Sequence, residues 1–281
     1  MSRILITGGS SYLGQRLVPL ACEAGHTVHY TYHQNQPGLP APGSPLDIRD
    51  ETAVHTLVAS FQPDVIIHLA GSNRGSDVSS VIRLGAGSIV WAAQAAGARL
   101  LHLSTDSIFS GETAPYDETA VPTPVNAYGR AKADAEAIVR QQPNSAIVRT
   151  SLIYGLHTMD HGTSWMADAL AHGQPVTLFS NQIRNPIWVD SLCHALLELA
   201  HNSFKGILNV AGRQVLSRAD FALRMLDYWQ VQPRDTLTIA PSDNSWPLNC
   251  ELDLRRATAV LQTPLPGVDE VLQQNGRSHL A

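Results

Sequence analysis

The chain has 281 residues, of which 44% are hydrophobic and 15% are charged, and its formal net charge is -5. A chain of this length is long for one compact core, so we expect a large domain and a smaller lobe. The negative charge argues against nucleic acid or an anionic membrane as the main partner. No apolar run reaches the roughly 18 residues that a membrane span needs. The three cysteines, Cys22, Cys193 and Cys250, fit neither a disulfide framework nor a zinc site, which predicts a reducing, cytoplasmic location.

The first half of the chain alternates short apolar runs with segments of helical length and spacing. The apolar runs predict buried strands at Ile4 to Ile6, Thr27 to Tyr32, Val65 to Leu69, Leu100 to Leu103 and Ala146 to Val148. The longer segments predict helices at Leu13 to Ala24, Thr52 to Phe61, Ser79 to Ala96 and Ala127 to Gln141. Pro37 to Pro45 is rich in proline and glycine and is predicted to be a surface connection. The alternation predicts an α/β fold with a doubly wound parallel sheet and helices on both faces.

The pattern is looser after about Tyr154. It predicts helices at Ser164 to His172, Asp190 to His201 and Ser217 to Trp229. It predicts strands at Val176 to Phe179, Ile187 to Val189 and Ile207 to Val210. Proline-containing loops over Pro233 to Pro247 then precede a C-terminal helical tail.

A glycine-rich turn follows the first predicted strand. Thr7 to Gly14 has the sequence TGGSSYLG and leads into a helix, an arrangement that places backbone N–H groups and a helix N-terminus against a pyrophosphate. Gly8 suits the tight turn, and Gly14 suits close packing of the helix on the strand. Ser11 stands where the usual pattern has a glycine, and we expect its side chain to crowd the phosphate or displace the turn. These features predict a Rossmann-type dinucleotide-binding domain over residues 1–155. Residues 156–281 are predicted to form mainly a substrate-binding lobe, with segments at about 186–212 returning to the main sheet.

The second strand carries the signal for the type of dinucleotide. An acidic residue near its end would hold the ribose 2′-hydroxyl of NAD, but Tyr32 and His33 stand there instead. His33 can face a 2′-phosphate, although no arginine follows it, so NADP(H) is favoured over NAD(H). Asp47 can accept a hydrogen bond from the adenine amino group, and a solvated aspartate that caps the next helix is the alternative for this residue.

Tyr128 and Lys132 form the clearest chemical signal. They lie one helical turn apart on the same face, and the sequence contains only one other lysine, Lys205. A neighbouring ammonium stabilises a phenolate, so we expect Lys132 to lower the pKa of Tyr128 and to hydrogen-bond the nicotinamide ribose. Thr105 or Ser104, at the carboxyl end of a predicted parallel strand, can bind a substrate carbonyl oxygen beside the phenol.

These motifs together resemble the extended short-chain dehydrogenase/reductase superfamily, and within it the dTDP-4-dehydrorhamnose reductase family. The resemblance covers nearly the whole chain, strongly to about Gly155 and thinly afterwards. It rests on the segments Thr7 to Gly14, His68 to Gly71, Leu103 to Gly111, Asn126 to Lys132, Arg149 to Gly155 and Arg184 to Asp190.

The resemblance implies a reaction and a set of site residues. A nicotinamide hydride would pass to the keto carbon of a nucleotide-linked 4-keto-6-deoxy sugar while Tyr128 protonates the oxygen and Thr105 orients the carbonyl. Asp106 and Arg184 are candidates for contacts with the substrate, and a surface position is the alternative for Arg184. The resemblance also implies a homodimer. The residues expected to bind the cofactor are Gly8, Ser10, Ser11, Tyr12, Leu13, Gly14, His33, Asp47, Ile48, Leu69, Ala70, Gly71, Tyr128 and Lys132.

Several departures from the family pattern narrow the expected chemistry. Gln15 and Arg16 stand where a carboxylate would help to hold magnesium, so no metal is predicted. Ile82 replaces an asparagine that is frequent in relatives, which puts a water relay in doubt. Asp106 is followed by Ser107 rather than by glutamate, which disfavours a dehydratase. A sugar-nucleotide epimerase and a non-catalytic NADP-binding regulatory subunit are the alternatives that remain.

Overall fold

A seven-stranded, fully parallel sheet forms the centre of the molecule. The computed structural model describes residues 1–71, 77–243 and 246–276. The sheet has the strand order β11-β6-β5-β4-β1-β2-β3, and the order reverses beside β1, as in a doubly wound fold. The predicted α/β fold class is therefore confirmed. The strands of this sheet are β1 (Arg3–Thr7), β2 (Thr27–Tyr32), β3 (Gly43–Pro45), β4 (Val65–His68), β5 (Arg99–Thr105), β6 (Ser145–Thr150) and β11 (Gly206–Asn209).

Helices cover both faces of the sheet. One face packs apolar side chains against α1 and α6, and the other packs them against α2, α3 and α4. Each strand of a sheet covered in this way buries both of its faces, which explains the continuous apolar runs in the sequence. The helices are α1 (Tyr12–Glu23), α2 (Glu51–Phe61), α3 (Val78–Ala96), α4 (Ala127–Val139), α5 (His161–Ala171), α6 (Val189–His201), α7 (Arg218–Tyr228), α8 (Arg255–Val260) and α9 (Val268–Gln274). Among the described residues, no helix is both long enough and apolar enough to cross a membrane.

The second half contributes to the sheet and also builds a separate small core. β11 pairs with β6 at one edge of the sheet, and α6 packs on α1. Away from the sheet, α5 and α7 pack apolar side chains against the parallel pair β8–β13. The remaining strands are β7 (Ile153–Tyr154), β8 (Val176–Phe179), β9 (Ile183–Arg184), β10 (Ile187–Trp188), β12 (Leu216–Ser217) and β13 (Leu237–Ala240).

Two strands lie in segments that the sequence predicted to be loops. β3 lies within the predicted connection Pro37 to Pro45, and β13 lies within the predicted loop Pro233 to Pro247. Both expectations were wrong. β3 contains Pro45 but lies at the edge of the sheet, where proline is tolerated, and β13 is a proline-free run within the proline-containing segment. β3 pairs with the outer side of β2. Residues 244 and 245 of the predicted loop, and residues 277–281 of the predicted helical tail, lie outside the described residues.

A buried ion pair fastens α4 to the sheet. The guanidinium of Arg149 on β6 donates to both carboxylate oxygens of Glu136 on α4, with Nη2–Oε2 at 2.8 Å and Nε–Oε1 at 3.0 Å. The two side chains are 0% and 1% exposed. The hydroxyl of Ser104 on β5 donates to the same carboxylate at 2.6 Å. Three elements of the fold therefore meet at one desolvated carboxylate.

Removal of Arg149 is expected to destabilise the fold strongly. Arg149→Ala removes the bidentate partner of the buried Glu136 and leaves, among the described residues, only the half-exposed Arg140 at 3.7 Å as an ion-pair partner, which costs about 3–5 kcal/mol. The matched control is Arg83→Ala, because Arg83 forms an ion pair with Asp134 in which both side chains are more than half exposed, and such pairs are worth about 0–1 kcal/mol. Urea unfolding followed by tryptophan fluorescence measures both variants. Equal losses in the two variants would contradict the structural role of the buried pair.

Candidate active site

Close backbone contacts shape the glycine-rich turn between β1 and α1. Gly8 has a φ of +76°, and a Cβ atom at this position would lie 2.8 Å from the amide nitrogen of Ala70. A Cβ atom on Gly14 would lie 2.3 Å from the carbonyl oxygen of Gly8. Neither position has room for a side chain, so both glycines hold the turn against its neighbours.

Ser11 is the N-cap of α1. Its hydroxyl accepts a hydrogen bond from the amide of Gly14 at 3.0 Å, which satisfies one of the free N–H groups of the first helical turn. The side chain is therefore folded over the start of the helix, where the sequence predicts that it crowds a phosphate. Its effect on cofactor affinity stays a prediction.

A cavity of about 670 Å³ opens over this turn. Eleven of the fourteen residues that the sequence nominates for cofactor binding line it: Gly8, Ser10, Ser11, Tyr12, Leu13, His33, Asp47, Ile48, Leu69, Ala70 and Gly71. Gly14, Tyr128 and Lys132 are not among its lining residues. His161, at the start of α5, lines the cavity from the second half of the chain. The cavity lies beyond the carboxyl ends of β1, β2 and β4, the place where doubly wound sheets bind their ligands.

An arginine lies at the His33 end of the cavity. Arg49 and His33 both line it, so the cavity has an arginine that no position next to His33 in the sequence reveals. Arg49 donates to both carboxylate oxygens of Asp47, with Nη2–Oδ2 at 2.6 Å, and to Asp77 at 2.9 Å. The hydrogen bonds from Arg49 lower the pKa of Asp47 to about 2. Asp47 is thus an ionised carboxylate whose oxygens are already engaged by a cation.

Tyr128, in the first turn of α4, lies next to the end of β5. Its phenol hydrogen-bonds the side chain of Thr105, and burial raises the pKa of Tyr128 to about 12, with a further increase from the Asp106 carboxylate. The sequence predicted the opposite direction, with Lys132 lowering this pKa. That prediction was wrong for the protein chain by itself, because burial dominates the pKa of the phenol and Lys132 is not among the groups that shift it.

The ammonium of Lys132 is buried below Tyr128. Its Nζ donates to the carbonyl oxygen of Leu103 at 2.5 Å and lies 3.5 Å from Nε2 of His102. Burial lowers the pKa of Lys132 to about 8. The side chain is therefore held by β5 rather than by the tyrosine.

The structure distinguishes the two hydroxyls at the end of β5. Thr105 contacts Tyr128, whereas Ser104 is 3% exposed and donates its hydroxyl to Glu136. Neighbouring residues of a strand point to opposite faces of the sheet, so the two cannot serve the same site. The prediction that Ser104 binds a substrate carbonyl was wrong, since its hydroxyl belongs to the buried ion pair.

Asp106, the residue after Thr105, is the centre of a polar cluster. Its Oδ2 accepts a hydrogen bond from the hydroxyl of Ser151 at 2.6 Å and lies 3.5 Å from Nε of Arg184. Arg184 is 3% exposed, so a surface position is excluded. Its guanidinium donates to the carbonyl oxygens of Ile183, Pro247 and Leu248. Most N–H groups of the Arg184 guanidinium are therefore already hydrogen-bonded. The predicted contact with a substrate would have to use the remaining N–H groups.

Arg218 is a functional candidate that the sequence reasoning missed. It is the first residue of α7 and is half-buried. Burial and the nearby Arg184 lower its pKa, while Asp106 and Asp160 act in the opposite direction. Its guanidinium has no hydrogen bond or ion pair with any described residue. A signal for it was present, because Ser217 and Asp220 form a recognisable helix start and a cation at that position is electrostatically unfavourable. A cation that does not stabilise its own helix is a candidate for a role in binding an anionic ligand.

Arg16, at the position where the family pattern would have a carboxylate for magnesium, forms an ion pair with α6. Arg16 donates two hydrogen bonds to Asp190 on α6, at 2.6 and 2.7 Å. Within the described ranges, no group of three or more His, Cys, Asp or Glu side chains is placed to hold a metal ion.

A family model and several relatives match the chain. The family described as the RmlD substrate binding domain matches residues 1–275. A dTDP-4-dehydrorhamnose reductase of Mycolicibacterium smegmatis is 31% identical over 78% of this chain and 67% of its own. A probable low-salt glycan biosynthesis reductase of Haloferax volcanii is 30% identical over 79% of this chain and 78% of its own. The methionine adenosyltransferase 2 subunit beta of Mus musculus is 28% identical over 89% of this chain and 80% of its own.

A solved structure has the same architecture. It is a hypothetical dTDP-4-dehydrorhamnose reductase from Sulfolobus tokodaii, with a TM-score of 0.82 and 28% identity over 95% of this chain and 97% of its own.

Substitution of Gly14 is expected to weaken cofactor binding. Gly14→Ala forces its methyl group into the carbonyl of Gly8, which displaces the turn and lowers the affinity for NADPH by about tenfold or more. The control is Gly87→Ala in the middle of α3, where a Cβ atom meets open space and helix propensity favours alanine. Quenching of tryptophan fluorescence by NADPH measures both affinities. Unchanged binding in Gly14→Ala would refute the placement of the cofactor over this turn.

Proposed function

The chain belongs to the RmlD substrate binding domain family and is an NAD(P)-dependent oxidoreductase of the extended short-chain type; within that class, we propose that it reduces the keto group of a nucleotide-linked 4-keto-6-deoxy sugar. The observation that carries this proposal is the contact of the Tyr128 phenol with Thr105 at the end of β5. Neither residue lines the cavity over the glycine-rich turn, but Leu103, two residues before Thr105 on β5, does. We infer from this proximity along β5 that a carbonyl at a bound nicotinamide would meet the phenol as a proton donor. The names of the reductase relatives support the substrate class.

The cavity residues fit a nicotinamide dinucleotide. The glycine-rich turn and the first N–H groups of α1 would hold the pyrophosphate, and Asp47 and Ile48 would meet the adenine. When bound in reduced form, the cofactor supplies the hydride that forms the new C–H bond at the keto carbon.

The remaining step, in this proposal, is a proton transfer by Tyr128. The phenol O–H donates its proton to the carbonyl oxygen as that oxygen gains negative charge, and an alcohol results. A pKa of about 12 keeps Tyr128 protonated at neutral pH, which suits a group that acts as an acid. The hydrogen bond with Thr105 orients the phenol.

A cationic subsite for the substrate is proposed on the lobe side of Tyr128. Arg218 has charge that no described residue neutralises through a direct contact, and it lies within electrostatic range of Asp106. A nucleotide sugar carries a diphosphate, and arginine suits such a group because its guanidinium can bind phosphate oxygens in pairs. Arg184, in contrast, would act mainly by holding Asp106 and the 247–248 backbone.

The catalytic proposal is tested by NAD(P)H oxidation. Purified protein mixed with NADPH or NADH and a dTDP-4-keto-6-deoxy sugar is expected to lose absorbance at the reduced nicotinamide band. Tyr128→Phe removes the proton donor and is expected to lower kcat by about 10²-fold or more while cofactor binding is retained. The matched control is Tyr32→Phe, which removes the same hydroxyl from a tyrosine that lines the cavity and donates to Gln36 rather than contacting Thr105. No oxidation by wild-type protein that still binds NADPH would contradict the substrate assignment and favour an epimerase or a regulatory subunit.

NADP(H) is the cofactor that we propose on the strength of His33 and Arg49. Arg49 keeps N–H groups beyond those bound to Asp47 and Asp77, and it borders the same end of the cavity as His33. These two side chains are the nearest candidates for a 2′-phosphate.

Substitution of Arg49 is expected to change the ratio of the two cofactor affinities. Arg49→Met should weaken NADPH binding by about tenfold relative to NADH, because a charge-assisted hydrogen bond to phosphate is lost. Arg83→Met, on the exposed side of α3, is the control. Titration of each variant with both cofactors gives the ratio. Equal weakening of NADPH and NADH would show that Arg49 supports only the parts that the two cofactors share.

A further inference from the structure

A row of buried polar side chains crosses the sheet beneath the proposed active site. The register of the parallel strands pairs Thr7 of β1 with His68 of β4, and His68 with His102 of β5. All three residues are 0–1% exposed. They lie on the face of the sheet that α3 and α4 cover, where apolar side chains such as Ile82 surround them. The mechanism proposed above uses none of the three.

Two polar contacts at its ends and one ring contact in its middle connect this row to Lys132. Nδ1 of His68 lies 2.7 Å from the hydroxyl of Thr7, and the rings of His68 and His102 are 5.2 Å apart between centroids. Nε2 of His102 lies 3.5 Å from Nζ of Lys132. Nδ1 of His102 has no hydrogen-bond partner among the described residues. Lys132 is therefore the single polar contact that orients the His102 ring within the part of the chain that the structure describes.

Most groups around Lys132 are already engaged in other contacts, which leaves His102 as an available hydrogen-bond acceptor. Glu136, one turn further along α4, favours the ammonium, but Glu136 is shared with Arg149 of β6 and Ser104 of β5. Tyr128, one turn before Lys132, is held by Thr105. From β4 and β5, His68 and His102 face the ammonium, and burial lowers the pKa of His68 to about 3 and the pKa of His102 well below its usual value. Both rings are therefore neutral, and a neutral imidazole can accept a hydrogen bond from an ammonium.

We propose that His102 is a positioning residue that accepts a hydrogen bond from Lys132 through Nε2 and, together with the Leu103 carbonyl, holds the ammonium in place for the cofactor. The inference rests on the proposed binding of a nicotinamide cofactor and on the expectation from the sequence that Lys132 hydrogen-bonds its ribose. An ammonium has three N–H donors; Leu103 and His102 take two of them, and the third stays free to point towards the cavity. His102 must then carry its own proton on Nδ1, and the contact between His68 and Thr7 fixes the neighbouring ring.

The pair of lysines in the sequence makes this arrangement measurable. In protein labelled with ¹³C at lysine Cε, only Lys132 and Lys205 give signals, and Lys205→Arg assigns them. Lys132 is expected to titrate near pH 8, and the exposed Lys205 reports whether a variant stays folded in the same way. The titration is made on the protein without any keto sugar, so its outcome does not depend on the proposed reaction.

Two variants of His102 separate positioning from packing. His102→Leu removes the acceptor but keeps an apolar side chain of similar bulk, and it should lower the titration midpoint of Lys132 by about one pH unit because the ammonium loses a partner. His102→Gln places an amide oxygen where Nε2 was and should return the midpoint towards the wild-type value. The affinity for NADPH, measured by fluorescence, should fall about tenfold in the leucine variant and recover in the glutamine variant.

The proposal fails if the Lys132 midpoint in His102→Leu stays at the wild-type value while the Lys205 signal is unchanged. ¹⁵N spectra of the histidine rings decide the matter independently, including the case in which the leucine variant does not fold. A wild-type His102 protonated on Nδ1 supports the proposal, and one protonated on Nε2 overturns it, because that nitrogen could not accept from Lys132. If the Lys132 midpoint falls in His102→Leu and recovers in His102→Gln, but the wild-type protein does not turn over the keto sugar, the role of His102 is supported and only the substrate assignment is refuted.

Discussion

The buried contact of Glu136 with Arg149 and Ser104 sets the position of α4, and the proposed chemistry of the protein depends on that helix. A buried ion pair is stable only in a well-aligned geometry, because misalignment leaves the desolvation penalty of the two charges uncompensated. Tyr128, Lys132 and Glu136 are spaced by four residues and form one stripe along α4. Glu136 anchors the far end of the stripe to β6, Lys132 meets the carbonyl of Leu103 in the middle, and Tyr128 meets Thr105 at the near end. Rotation of α4 about its axis would disturb all three contacts together.

Contacts between the two halves of the chain also hold the glycine-rich turn and the start of α1 in place beside the cavity. The phenol of Tyr12, next to the glycine-rich turn, donates to the carbonyl oxygen of Thr158 at 2.9 Å, and its ring lies 6.1 Å from that of His161. Arg16 on the same helix is paired with Asp190 of α6. The N-terminal region of α1 therefore contacts segments that lie between β6 and β11 in the chain. The residues that would hold a pyrophosphate and those that would choose a substrate are thus linked through one short helix.

The electrostatics of the site differ from the picture that residue spacing suggests. A Tyr-x-x-x-Lys pair suggests that the ammonium acts directly on the phenol, but the fold directs Lys132 to a backbone carbonyl and a neutral histidine. Burial and Asp106 then leave Tyr128 as a weak acid that remains protonated. A donor of this kind suits reduction better than the reverse oxidation, which would need the phenolate as a base.

The sequence by itself determined the α/β class, most of the strands and helices of the central sheet and the identity of the residues around the glycine-rich turn. These follow from local patterns, since a buried parallel strand needs an apolar run and a tight turn needs glycine. It did not determine β3 or β13, whose pairing depends on strands elsewhere in the chain. Nor did it determine the hydrogen-bond partners of polar side chains, because the type of a residue does not reveal which residues distant in the sequence it will contact. Only the tertiary structure assigned Ser104 to an ion pair, placed Arg49 and His33 at the same cavity, buried Arg184 and left the Arg218 guanidinium without a partner among the described residues. Each of these results depends on contacts between residues far apart in the sequence, and such contacts exist only once the chain has folded.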